Sequence, residues 1–168
     1  MAFGRGWPVT IEVGLTLPGP PAVVWRLITD WERQSDWMLE ASDFVVTSVQ
    51  REGIGVEAEA TITIGGIKTR DAVRVVGWEP EHRLAIQHLG WVSGTGEIFL
   101  TPTGAGLTYL FWREELANPA LGPLGSVGLS IFKPLMKRIF ERDLLVLAAL
   151  TRSEALAREG APASGANQ

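Results

Sequence analysis

Val56-Glu57-Ala58-Glu59-Ala60-Thr61-Ile62-Thr63-Ile64, closed by Gly65-Gly66, decides how this chain folds. Val56, Ala58, Ala60, Ile62 and Ile64 alternate with Glu57, Glu59, Thr61 and Thr63. That period of two belongs to a strand with one buried face, whereas a helix would repeat every 3.6 residues. Gly65-Gly66 suits the positive backbone angles of a tight hairpin, which predicts a partner strand over Lys68–Trp78. Downstream, Glu79-Pro80-Glu81 turns into Arg83–Leu89, and Gly94–Leu100 follows. Thr103-Gly104-Ala105-Gly106 then turns into Leu107–Glu115. Upstream, Phe44–Arg51 reads as a strand ended by Glu52-Gly53. Val9–Leu17 alternates in the same way, with Val9, Ile11, Val13, Leu15 and Leu17 on one side. Seven strands joined by short Gly and Pro turns predict an antiparallel sheet of mostly sequential neighbours.

The remaining segments read as helices. Pro18-Gly19-Pro20-Pro21 stops the first strand and opens a short helix over Ala22–Ile28, since proline is tolerated where helix N–H groups lack partners. A second helical piece is expected around Trp31–Trp37. The last element spans about Leu124 to Ala157, with Ile131, Leu135, Ile139, Val146 and Leu150 on one stripe and Lys133, Lys137 and Glu141 opposite. Pro134 should kink it. A curved sheet with one apolar face and a long helix with one apolar stripe can bury those faces against each other. The expectation is a single α+β domain over residues 9–158, with flexible termini at 1–8 and 159–168.

Composition narrows the function classes. At 168 residues the chain fits one domain with a sizeable core. A net charge of −4 does not favour nucleic acid, which demands concentrated Lys and Arg. There are no cysteines, so disulfides, thiolate metal sites and Cys nucleophiles are excluded. Two histidines, His82 and His88, do not make a typical zinc site. No metal and no cofactor is expected. Neither a signal peptide nor a spanning run of roughly 18 apolar residues is visible, so the expected location is the cytoplasm, without membrane insertion, as a monomer or homodimer. Seven tryptophans against one tyrosine is the unusual feature.

Several short motifs sit together in this frame: Pro20-Pro21-Ala22-Val23-Val24-Trp25, then Asp30-Trp31 with Trp37, then Val75-Val76-Gly77-Trp78-Glu79-Pro80 with Arg83-Leu84, and finally Arg142-Asp143-Leu144. With them the chain resembles the polyketide cyclase/dehydrase branch of the START-like (SRPBCC, helix-grip) superfamily, over roughly Val9 to Ala157. The resemblance implies a curved seven-stranded sheet wrapped around the C-terminal helix, with two short helices after the first strand. It also implies a cavity for a small hydrophobic molecule such as a polyketide, lipid, sterol or quinone. Cyclase or dehydratase activity, non-catalytic carriage and a co-chaperone-like protein-interaction role all occur on such a frame. The resemblance carries over no catalytic residue.

Strand parity nominates the cavity wall. In the opening stretch Val56, Ala58, Ala60 and Ile62 face inward. Keeping Lys68, Arg70 and Arg74 outside turns Asp71, Val73 and Val75 in, and the next strand contributes Leu84, Ile86 and His88. Asp71 and His88 are then the polar groups directed into an apolar pocket, where burial perturbs pKa values and polar groups orient ligands. His88, titrating near neutrality, is the candidate general acid or base with Asp71 beside it. The plainer alternative is an Asp71 paired to a neighbouring strand and an inert, hydrogen-bonded His88. In Leu107–Glu115 both faces are apolar, and Tyr109, Phe111 and Arg113 are assigned inward, with Arg113 available to Asp71 or a ligand carboxylate. Trp31 and Trp37 wall one end, and Ile131, Leu135 and Ile139 line the helix side. Asp143, on the apolar half of the last helix, is read as structural or as edging the pocket.

Overall fold

The computed structural model describes residues 8–118 and 122–160. Its elements run β1 (Val9–Leu17), α1 (Pro21–Thr29), a 3₁₀ helix (Trp31–Asp36), β2 (Ala41–Val46), β3 (Glu57–Ile64), β4 (Ile67–Glu79), β5 (Arg83–Leu89), β6 (Ser93–Gly104), β7 (Leu107–Ala117) and α2 (Gly122–Glu159). All seven strands form one antiparallel sheet in the order β1-β7-β6-β5-β4-β3-β2. Strands β2 to β7 therefore meander, and β1 joins the free edge of β7. The hairpin between β3 and β4 closes at Ile64 opposite Ile67, around Gly65 and Gly66, both at positive φ. The expected flexible ends fall mostly outside the described residues.

Strand β2 lies earlier than the expected Phe44–Arg51. Its ladder with β3 is broken by a bulge between Ser42 and Val45, with Asp43 at φ 54°, a left-handed angle that Asp tolerates better than most residues. Past Thr47, whose N–H still donates to Glu57 O at 2.9 Å, polar side chains hold the backbone out of the ladder. Ser48 Oγ donates to Gln50 O at 2.7 Å, and Gln50 Nε2 donates to Ile54 O at 2.6 Å. Such local side-chain bonds compete with sheet pairing.

Helix α1 starts with Pro21 in its first turn and buries Val23, Val24, Trp25, Leu27 and Ile28. Helix α2 packs chiefly on β1, with smaller contacts to α1 and β7. Its close approach depends on Gly19, where a Cβ would stand 2.5 Å from Thr151 Cγ2. Thr108 Oγ1 fixes the same corner by donating to Gly19 O at 2.8 Å. The core centres on Leu17, Val24, Leu110, Leu144 and Leu147, all fully buried.

The expected stripe on α2 needs correction. The buried line is Phe140, Asp143, Leu144, Leu147 and Thr151, one position round from the predicted one. Ile139, Val146 and Leu150 lie on its half-buried shoulder. Ile131 is 72% exposed and Leu135 42% exposed, so neither lines a pocket. The helix extends beyond the surface that β1, β7 and α1 offer it, and an apolar pattern cannot show where its partner ends.

Candidate functional site

The concave face of the sheet carries the site. Val56, Ala58 and Ala60 are buried on it, Val73 and Ile86 line it, and Asp71 and His88 point the same way. Strand β7 faces opposite to its predicted sense. Thr108, Leu110, Trp112 and Glu114 are buried, whereas Tyr109 is 39% exposed and Phe111 and Arg113 are half-buried on the outer face. Phe111 lies against Phe99, ring centres 6.3 Å apart. Arg113 pairs with Glu12 and Glu115, and does not reach Asp71. The register with β1 explains the reversal. Ile11 stands opposite Glu114, Val13 opposite Trp112 and Leu15 opposite Leu110, and directly opposed residues share a face. The clear alternation of β1 therefore decides what β7 alone leaves open.

Over this face lies an apolar cavity with two lobes, one of about 160 Å³ beneath α2 and one of about 90 Å³ beneath the end of α1 and the 3₁₀ helix. Met38, Ile62, Asp71, His88, Trp112 and Glu114 border both. The larger lobe is closed by Met136, Ile139 and Phe140 of α2, with the exposed Trp91 at its rim. The smaller is bounded by Trp31, Trp37, Ala60, Val73 and Ile86. Val56 and Ala58 are core residues and border neither lobe. Trp112 ties the walls together: it stacks on Phe140 at 4.3 Å between ring centres and meets Trp37 edge-on at 5.8 Å.

Four side chains make one polar network on the cavity wall. His88 Nδ1 lies 2.8 Å from Asp71 Oδ2 and Nε2 lies 3.1 Å from Glu114 Oε2. Trp112 Nε1 donates to Glu114 Oε1 at 2.8 Å. His88 stands on β5 and Glu114 on β7, so β6 lies between them, and two strand spacings amount to roughly 9–10 Å. They meet because β6 presents Gly94 and Gly96 on this face, opposite His88 and Glu114 respectively. A Cβ at Gly96 would stand 2.4 Å from Glu114 Oε1. The parity expected of β7 turns Glu114 outward, whereas it is buried on the inner face. The Ser93-Gly94-Thr95-Gly96 run, with two missing side chains on one face, was the available signal.

The electrostatics of His88 differ from the near-neutral titration expected for it. Burial works against its charged form, but the hydrogen bonds it donates to Asp71 and Glu114, and their charges, outweigh it and push the imidazole up to about 10. At neutral pH His88 is thus an imidazolium donating to two carboxyl groups, with no N–H left for a ligand. Asp71 Oδ1 accepts no hydrogen bond among the described residues. At the far side of the larger lobe Asp143 accepts from Arg142 at 2.8 Å and from the Leu39 N–H at 3.5 Å. Burial raises its carboxyl to about 6 despite Arg142. It serves both to tie α2 to the segment before β2 and to border the cavity. Among the described residues no cluster is suited to hold a metal, and no helix is long and apolar enough to cross a membrane.

Residues 8–152 match the family model described as polyketide cyclase / dehydrase and lipid transport. The chain belongs to this family. An uncharacterized protein of Mycobacterium tuberculosis is 28% identical over 120 residues, which is 70% of this chain and 83% of that protein. Among solved structures, the Zhui aromatase/cyclase of a Streptomyces species superposes with a TM-score of 0.65 at 17% identity, covering 94% of this chain and 99% of its own. A START superfamily protein from Mycobacterium smegmatis gives 0.65 at 12% identity, covering 89% and 98%. These likenesses show the fold: the α+β helix-grip arrangement of the START/SRPBCC superfamily. As a family member the chain is a ligand-binding domain of that class.

Proposed function

We propose that this family member binds one compact hydrophobic molecule carrying a hydroxyl group, held between sheet and α2 with the hydroxyl on the Asp71–His88–Glu114 network. The observation that carries the reading is this network set into an otherwise apolar wall. A few converging polar groups in an apolar cavity are what fix a ligand's orientation. Since His88 spends both N–H groups on carboxyls, the wall offers acceptor oxygens, Asp71 Oδ1 foremost, and these ask for a donor. A lobe of about 160 Å³ is close to the roughly 150 Å³ of an engineered apolar cavity that takes up benzene. That size favours a ring system over a sterol, and an open cavity favours a ligand over a protein-interaction domain with a filled core. Tryptophan fluorescence titration with 1-naphthol and 1-naphthoate tests it. The expected result is saturable binding of the naphthol and at least tenfold weaker binding of the naphthoate, whose charge opposes the carboxyls. Equal affinities, or no binding of either, would refute the reading.

The convergence of three titratable groups favours a second reading, acid–base chemistry of the cyclase or dehydratase kind, over simple carriage. In it Asp71 removes a proton from the carbon beside a ligand carbonyl, and the electron pair moves to the carbonyl oxygen as an enolate. His88 remains protonated and holds the charge of the network.

A further inference from the structure

Four carboxyl groups border the larger lobe: Glu40, Asp71, Glu114 and Asp143. Two cations answer them. His88 lies between Asp71 and Glu114, and Arg142 pairs with both Glu40 and Asp143. Arg70 also borders the lobe, but its side chain is 75% exposed and is held by Glu59 at 2.8 Å. Among the described residues no further cation pairs with the four. The wall around them is apolar, with Ile62, Trp112, Met136, Ile139 and Phe140. A charge held in such surroundings without a countercharge is costly. The lobe thus carries negative charge that the chain does not itself balance. Asp71 is where a ligand can meet it. Its side chain is 22% exposed, against 14% for His88 and 5% for Glu114. Glu114 spends both oxygens within the network, on His88 and on the Trp112 indole. Asp71 gives Oδ2 to His88, and Oδ1 accepts no hydrogen bond among the described residues. Gly90 keeps the space beside that oxygen open, since a Cβ there would stand 3.2 Å from Oδ1.

We infer that the larger lobe selects an organic ammonium ion, a single ring with a protonated amine on a short arm, over the alcohol of the same shape, with Asp71 Oδ1 as the acceptor. This rests on the ligand-binding reading above and names its donor: the ammonium takes the position given there to the hydroxyl. It supplies the same hydrogen bond and also the missing positive charge. A hydrogen bond to a charged partner contributes more than one between neutral groups, and a dry wall strengthens the attraction further. A bare metal ion does not suit the lobe, because no cluster among the described residues could hold one. A single ring does, by the size argument already made for a lobe of about 160 Å³.

Calorimetric titration of the full chain at pH 7 with benzylamine, protonated there as a lysine side chain is, and with benzyl alcohol isolates the charge. The amine should bind the wild type roughly tenfold more tightly, and Asp71→Asn should remove that advantage. Equal affinities in the wild type, or tighter binding of the alcohol, would overturn the inference and leave the cavity reading intact. An amine advantage that survives Asp71→Asn would also overturn it, since the cation would then be drawn elsewhere on an acidic protein. Binding of neither compound would overturn it too, and 1-naphthol in the same titration shows whether the cavity reading falls with it. Should Asp71→Asn fail to fold, the wild-type Met136 methyl resonance decides, because Met136 borders this lobe. Saturation with benzylamine should shift that resonance; an unmoved resonance with bound amine would overturn the inference.

Discussion

His88 gains proton affinity from Asp71 and Glu114 against the opposing effect of burial, and that gain belongs to the folded state alone. In the unfolded chain a histidine titrates near 6.5. Its folded value of about 10 lies above that, so the contribution is complete below about pH 6.5 and is lost as pH rises toward 10. Denaturant midpoints of the wild type and His88→Gln, measured from pH 6 to 10.5, should converge, the wild-type advantage shrinking by on the order of a few kcal/mol. An advantage that stays constant over that range would mean the ring is uncharged. At this scale the sequence was partly legible. Asp71 and His88 could be placed on the inner face because their strands carry unmistakable outward charges. Glu114 could not, since its strand is apolar on both faces and the deciding residues, Ile11 and Val13, lie about a hundred positions away.

Both halves of α2 carry apolar residues at helical spacing, and they differ in what opposes them. Leu147 is fully buried, packed within the core, while Ile131 on the same helix faces outward. Leu147→Ala removes buried methyl groups and leaves a cavity, so it should lower stability by about 2–5 kcal/mol. Ile131→Ser removes nothing packed, and its effect should stay within about 0.5 kcal/mol. Chemical denaturation of both variants checks the pair; comparable losses would show that the N-terminal half is covered after all. The stripe was legible as a helical period, because that depends only on spacing along the chain. Its extent was not, because where the sheet stops under the helix is a property of seven other segments. The same limit applies to β2, where Ser48 and Gln50 turn an apolar-looking run into a loop held by its own side chains.

For the whole molecule, the hairpin turns and the alternation of β1 and β3 made the antiparallel α+β frame readable, and the frame places a concave apolar face beneath a helix. The space left unfilled there depends on residues too small to announce themselves, Gly94 and Gly96 above all. That space links binding to global stability. A molecule that occupies the cavity binds the native state and not the unfolded chain, so it raises stability by RT ln(1 + [L]/Kd), about 2.7 kcal/mol at a hundredfold excess over Kd. For a domain of this length each kcal/mol moves the melting temperature by roughly 2–4 °C. Saturating 1-naphthol should therefore raise Tm by roughly 5–10 °C. Gly96→Ala, whose new methyl group meets Glu114, should lose most of that increment, because it disturbs the network proposed to receive the hydroxyl. An undiminished increment in Gly96→Ala would place the bound molecule away from Glu114, and a wild-type Tm unmoved by the naphthol would leave the cavity without this class of occupant.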